Sequence, residues 1–363
     1  MRTELPPVET MPGAGQDDSR AGQPPPAPLL PPPGEAPFVR RSSPWRGGWP
    51  DADGPVTGQA ADLGEASLLG PVPPAPDRGW RRAVHRMTGG AVNAGISSGQ
   101  RQRLDLLARI RTPTARCHRI AVVSLKGGIG KTTTVAVLGG TLAARRGDRV
   151  AAVDANPDGG TLAARVAGRY RSTARTLLAE APRLTSYAKV RGLLEQGPGP
   201  LHVLAGEADP AVSQAFSGAD YRAVSDVLGR YYDIVLTDCG TGLLHGAMAA
   251  VLDAADSLIV VGSVSVDGAQ AASRTLDWLD AHAHGHLVRG AHVVLTGLRP
   301  GGRELDADRI VSHFRARCGS VFTIPFDRHL AAGATIDLDA LRPPTRAAYL
   351  RLAAAVAGGF AAG

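Results

Sequence analysis

The stretch that most constrains this 363-residue chain joins an apolar run, a glycine loop and a helical pattern without interruption. Ile120–Val123 leads into Ser124-Leu125-Lys126-Gly127-Gly128-Ile129-Gly130-Lys131-Thr132-Thr133-Thr134. Val135, Leu138 and Leu142 then recur at helical spacing until Arg145-Arg146 meets Gly147. Strand, glycine loop, Lys-Thr and helix are the context that a phosphate-binding loop requires. Glycines let backbone N–H groups converge on phosphate oxygens, and the helix N-terminus adds a favourable dipole. On this reading Lys131 reaches the β- and γ-phosphates and the Thr132 hydroxyl binds Mg²⁺.

Around this segment the texture predicts an α/β fold, doubly wound on a mostly parallel sheet. Ile120–Val123, Val150–Val153, Ile234–Leu236, Leu258–Val261 and Val293–Leu295 are strand-length apolar runs. Helical patterns over 133–146, 211–229, 267–281 and 305–317 lie between them. Continuous apolar strands separated by helices indicate a sheet covered on both faces.

The usual first glycine of a phosphate loop falls here on Leu125. The sequence Lys126-Gly127-Gly128-Ile129-Gly130-Lys131-Thr132-Thr133 instead resembles the deviant loop of the MinD/ParA family of ATPases. That resemblance implies ATP and Mg²⁺ as cofactors, a homodimer formed with ATP, and a Lys126 that reaches the nucleotide of the partner subunit. The lysine count agrees: only Lys126, Lys131 and Lys189 are lysines among 40 basic residues. A compact ammonium suits a crowded phosphate cradle better than a planar guanidinium. Asp154-Ala155-Asn156-Pro157-Asp158 resembles the family's first switch, with Asp154 as its first carboxylate and a metal-side residue. The second, water-orienting carboxylate is replaced by Asn156, which implies slow hydrolysis without a partner, or a contribution from Asp158. Asp238, ending the strand before Cys239-Gly240-Thr241-Gly242, is the expected Mg²⁺-side carboxylate. Thr296 stands where the family often has a base-reading Asn, and Arg299, Pro325 and Asp327 are the candidates for flanking the base. ATP over GTP rests on the resemblance, with no Asn-Lys-x-Asp guanine box present.

Further segments, Gly79-Trp80-Arg81-Arg82, Thr275-Leu276-Asp277-Trp278-Leu279 and Pro325-Phe326-Asp327-Arg328-His329-Leu330-Ala331, resemble a subgroup. These are the actinobacterial, EspI-like proteins associated with type VII (ESX) secretion, which carry a Pro-rich region before the ATPase. The resemblance covers about residues 79–360.

Composition sets the domain plan. Residues 1–79 hold 18 of the 28 prolines and predict a disordered Pro-rich region able to dock a secretion-machinery or other protein partner. Residues 80–116 form a basic, partly helical connector, and 117–363 the ATPase domain. Between 81 and 119 nine arginines face Asp105 alone, so the net charge of +7 is concentrated there. Leu104, Leu107 and Ile110 predict a helix over 101–111 that docks on the following domain, while the arginines also suit DNA or anionic lipid. No apolar run approaches the roughly 18 residues of a membrane helix, and no secretory leader is predicted. The expected location is the cytoplasm, free or peripheral to a membrane complex. Cys117, Cys239 and Cys318 form no Cys-x-x-Cys pair and predict ordinary buried thiols. The C-terminal run 347–360, rich in small residues, predicts a helix packed on the core rather than on lipid. Besides the secretion-associated switch, three readings compete: a ParA-like partition ATPase on DNA, a MinD-like membrane-positioning ATPase, and a metabolic enzyme of the wider group.

Overall fold

The computed structural model of the chain describes residues 74–77, 79–156, 159–207, 209, 213, 215–242, 246–298 and 306–362. The Pro-rich stretch through residue 73, and with it Asp158 and Arg299, lies outside the described residues.

Among the described residues eight strands form one sheet in the order β3-β4-β2-β5-β1-β6-β7-β8. They are β1 (His118–Val123), β2 (Val150–Ala155), β3 (Glu195–Gln196), β4 (His202–Leu204), β5 (Ile234–Cys239), β6 (Ser257–Ser263), β7 (His292–Leu298) and β8 (Ser320–Pro325). Every pairing is parallel except β3 with β4. Alternation along β1 assigns its side chains to two covers. Ile120 and Val122 join one core cluster, while Ala121 and Val123 join another on the opposite face.

The first cover contains α3 (Lys131–Arg146), α4 (Leu162–Ala167) and α13 (Pro343–Ala357). The opposite face carries α5 (Ala174–Glu180), α6 (Tyr187–Gly192), α7 (Gly218–Gly229), α8 (Met248–Ala254), α9 (Val266–Ala281), α10 (Gly285–Gly290) and α11 (Ala307–Arg315). A short α12 (Arg328–Ala331) precedes α13. Tyr349, Leu352, Ala353, Ala354 and Val356 of α13 are buried, so the C-terminal helix belongs to the core. Among the described residues no helix is long and apolar enough to cross a membrane.

The sequence expectations differ from this architecture in instructive places. The helix expected over 211–229 begins at Gly218, where Ser217 accepts from the Asp220 N–H and Asp220 reaches back to Ser217 in a capping box. Strands β3, β4 and β8 were not anticipated. The first two are only two and three residues long, too short for any periodicity to register.

The connector forms two helices, α1 (Gly79–Met87) and α2 (Ser98–Ile110), with Ser97 capping the second through the Gln100 N–H. Helix α2 packs on α13 and α3. Its docking stripe is shifted from the expected one: Leu106 replaces Leu104 beside the core, and Leu104 stays exposed. Ile110 is fully buried. Arg146 of α3 donates to the carbonyls of Ile110 and, at 2.8 Å, Thr112, which ties the end of α2 to the domain.

This packing makes the connector part of the folded unit. Ile110→Ala should lower unfolding free energy by about 3 kcal/mol, through lost burial and a cavity between α2 and α13. Leu104→Ala should change it by less than about 0.5 kcal/mol. Urea denaturation of the two variants checks the difference.

Candidate functional site

At the C-terminal edge of the sheet three strand ends converge. Strand β1 opens into the glycine loop, and β2 and β5 carry carboxylates at their next-to-last residues, paired in register, Asp154 opposite Asp238. Strand β5 lies between β1 and β2, so Asp238 is brought beside the loop.

The loop is held from both sides. Ser124, buried at its start, accepts from the Lys126 N–H at 3.1 Å. Thr134 donates to the Gly130 carbonyl at 2.8 Å. Gly128 and Gly130 have φ of 73° and 99°, a region costly for any residue with a Cβ, and Gly130 starts α3. Thr296 of β7 donates to the Ile129 carbonyl at 2.7 Å and packs against Gly130. The residue at the expected base-reading position is therefore a tether for the loop, with its hydroxyl already engaged.

Lys131 is buried, and its positive charge acts on Asp238. The Thr132 hydroxyl donates to Asp238 Oδ2 at 2.6 Å. The other oxygen, Asp238 Oδ1, is buried and has no hydrogen-bond partner among the described residues. A buried carboxylate oxygen left without a donor carries a desolvation cost that a hydrated cation would relieve. A hard oxygen donor beside a threonine hydroxyl and an open glycine cradle fits Mg²⁺ with a nucleotide phosphate.

Asp154, expected on the metal side, is engaged by the backbone of the loop that follows it. Its oxygens accept from the backbone N–H of Asn156, at 3.2 Å, and of Leu162, at 2.8 Å. Gly160 passes so close that a Cβ there would lie 2.5 Å from Asp154 Oδ2. Asp154 thus shapes the loop from β2 to α4. Asn156, at the water-orienting position, donates its side-chain amide to the Gly159 carbonyl at 3.3 Å, and its own carbonyl accepts from Ser213.

Of the three residues expected to flank the base, Arg299 lies outside the described residues. Pro325 closes β8. Asp327 is buried and its oxygens accept from the His329 N–H at 3.0 Å and the Arg342 N–H at 2.9 Å, so it clamps α12 and the start of α13.

Sequence reasoning missed two charged neighbours. Lys126 forms an ion pair with Asp267 in the first turn of α9, and Asp267 also accepts from the Ser265 hydroxyl and the Gly268 N–H. The Lys126 ammonium, aided by Ser265, holds the Asp267 carboxyl down to about 2. A Ser-x-Asp sequence after an apolar strand announces a capped helix, but not which lysine faces it. Arg165 of α4 donates to the Thr133 hydroxyl at 3.1 Å and the Leu330 carbonyl at 3.3 Å, bringing a third cation beside Lys126 and Lys131. Nothing in the sequence distinguishes it from the other arginines.

Cys239 follows Asp238 but faces the core, where burial pushes its thiol far above the ordinary range. It is a packing residue.

Burial pushes Asp154 up to about 6, against the N–H donors that hold it. Burial, and then the neighbouring Asp154, push Asp238 up to about 8, opposed by Thr132 and Lys131. Native Asp238 therefore keeps a proton that the unfolded chain has lost, and nucleotide-free stability should fall as pH rises from about 4 toward about 8. Asp238→Asn should flatten that slope and stabilise the nucleotide-free protein at the alkaline end. Urea denaturation across this range in chelator is the measurement, and an unchanged slope would contradict it.

Comparison with known proteins follows the same lines. Residues 120–332 match the family described as the CobQ/CobB/MinD/ParA nucleotide binding domain. The chain is 40% identical over 285 residues to the ESX-1 secretion-associated protein EspI of Mycobacterium tuberculosis, an alignment covering 78% of this chain and 42% of that protein. It thus spans well under half the length of the curated relatives it matches. Among solved structures, the ParA family ATPase from Chlorobium tepidum superposes with a TM-score of 0.56 at 19% identity, covering 66% of this chain and 98% of the other. The cell division ATPase MinD of Pyrococcus furiosus gives a TM-score of 0.52 at 22% identity, with 66% and 98% coverage. Those two likenesses are of fold.

Proposed function

The chain belongs to the CobQ/CobB/MinD/ParA nucleotide-binding family and is closely related to the mycobacterial EspI proteins, and we propose that it is an ATP-binding, slowly ATP-hydrolysing switch that dimerises around the nucleotide in the service of type VII secretion. The observation that carries the nucleotide reading is the group formed by the glycine cradle, buried Lys131, and the Thr132–Asp238 pair with its unpartnered oxygen.

Bound Mg²⁺ would supply charge neutralisation to the β- and γ-phosphates. Thr132 would turn its hydroxyl oxygen to the cation, and Asp238 would lose its proton and accept from a water of the cation shell. Lys131 provides a point charge where backbone N–H groups converge. Asn156 can hold a water by hydrogen bond but cannot take its proton, so basal turnover is slow and a partner sets the active rate.

Dimerisation is supported by the surface around Lys126. The ion pair with Asp267 is exposed on both sides, and Leu125 and Val266, next to the paired residues in sequence, are exposed apolar side chains. A second copy approaching this edge would cover those apolar groups and draw Lys126 from Asp267 to its nucleotide. The link to secretion rests on the likeness to EspI and on the Pro-rich stretch, a candidate ligand for a partner protein. The working location is the cytoplasm, free or at a membrane complex.

Part of the basic charge counted between residues 81 and 119 is engaged by the fold rather than offered to DNA. Arg111, Arg116 and Arg119 are committed within the folded unit, to the Arg145 carbonyl, Asp256 and Ser225.

Two experiments test the reading. Lys131→Ala should reduce affinity for a fluorescent ATP analogue by at least about a hundredfold, since a buried phosphate site loses its cation; near-normal affinity would mean that the loop does not bind phosphate. Lys126→Ala should leave monomer binding intact but weaken dimerisation with a non-hydrolysable analogue, read by light scattering. Asp267→Asn should favour the dimer by freeing Lys126, and a wild-type protein that stays monomeric with nucleotide would rule this mode of action out.

A further inference from the structure

We propose that α1 is an interfacial anchor that binds the surface of an anionic lipid bilayer. Its sequence, Gly79-Trp80-Arg81-Arg82-Ala83-Val84-His85-Arg86-Met87, divides cleanly at helical spacing. Trp80, Ala83, Val84 and Met87 share one face, and Arg81, Arg82, His85 and Arg86 share the other.

The fold turns this helix opposite to what a core helix requires. None of its residues is buried. Trp80 is 67% exposed and Met87 86%. The arginine side is instead fastened to the chain: Arg81 donates to the Ile96 carbonyl at 3.1 Å, and Arg82 to the Asp77 carbonyl at 3.0 Å. The apolar face is thereby held outward. Trp80, Met87, Val92 and Leu104 make up four of the six exposed large apolar side chains among the described residues, so the exposure is concentrated on the connector.

Charge identifies the occupant. Residues 79–112 contain seven arginines against Asp105, and Arg86, Arg101, Arg103 and Arg109 are exposed. An anionic partner is required, and it must also accept a tryptophan and a methionine. A nucleic-acid backbone rewards the arginines but leaves the apolar face in water. A second copy of the chain would find a stripe of four side chains, far short of the roughly 800 Å² per partner of a standard interface. An anionic headgroup layer satisfies both demands. Trp80 and Met87 enter at the acyl boundary, and Arg86, bordering Met87, extends its guanidinium to the phosphates. Because α2 is anchored through Ile110, binding would tether the nucleotide-binding domain to the bilayer. An anchor of nine residues is weak and reversible, and its strength falls with salt.

The test is flotation of the full chain with vesicles of phosphatidylcholine alone or mixed with phosphatidylglycerol, at low and high salt, beside binding to random duplex DNA. The expected result is co-flotation with phosphatidylglycerol vesicles only, weakened by salt, and reduced roughly tenfold or more in the double variant Trp80→Ser, Met87→Ser. The melting temperature of that variant should stay unchanged, since both side chains are exposed. Absence of binding to the anionic vesicles overturns the proposal, as does binding that the double variant retains in full. Tight duplex binding that survives the double variant, with no vesicle binding, would assign the surface to nucleic acid instead. A change of oligomeric state in the variant, measured by light scattering, would assign it to a second copy.

Discussion

Two carboxylates buried side by side at the ends of parallel strands are the constraint around which the rest of the site is arranged. Asp154 and Asp238 are paired in register and almost wholly out of water. Charge in such a place is costly unless something compensates it. The chain meets that demand unequally. Asp154 receives backbone N–H groups from the loop it shapes, whereas Asp238 receives only Thr132, with Lys131 nearby as a cation. The imbalance leaves one oxygen of Asp238 without a donor among the described residues.

The glycine loop answers the same constraint. It presents N–H groups and a lysine while its own carbonyls are held by Thr296 and Thr134. Carbonyl oxygens that would otherwise turn a like partial charge toward an anion are thus engaged elsewhere. Lys126 and Arg165 extend this arrangement outward, each held by a partner on another element. A cation resting in an exposed ion pair is cheap to release, because such pairs contribute little in water. That makes the Lys126–Asp267 contact suited to exchange, whereas buried Lys131 is suited to permanence.

The connector shows how one short basic segment can serve two ends. Its C-terminal half is folded into the domain by Leu106, Ile110 and the contacts of Arg111, Arg116 and Arg146. Its N-terminal half presents apolar side chains to the outside while its arginines bind backbone carbonyls. Composition alone records only that both halves are rich in arginine.

The sequence by itself determined the α/β class, the long strands, the glycine loop between the first strand and its helix, and Asp154 and Asp238 near the ends of their strands. Each of these is local: apolar runs, clustered glycines and a Lys-Thr pair before a helix are legible within a dozen residues. The docking of α13 was legible for the same reason, since small apolar residues at helical spacing suit a packed face. Tertiary structure decided what lies far apart along the chain. It brought Asp267 to Lys126, separated by 141 residues, and Thr296 to the Ile129 carbonyl, separated by 167. It turned Asp327 into a clamp, set Leu106 rather than Leu104 against the core, and pointed Trp80 outward. Spacing reveals which residues share a face of a helix. Only the packing of distant elements determines which way that face looks, and which charge finds which partner.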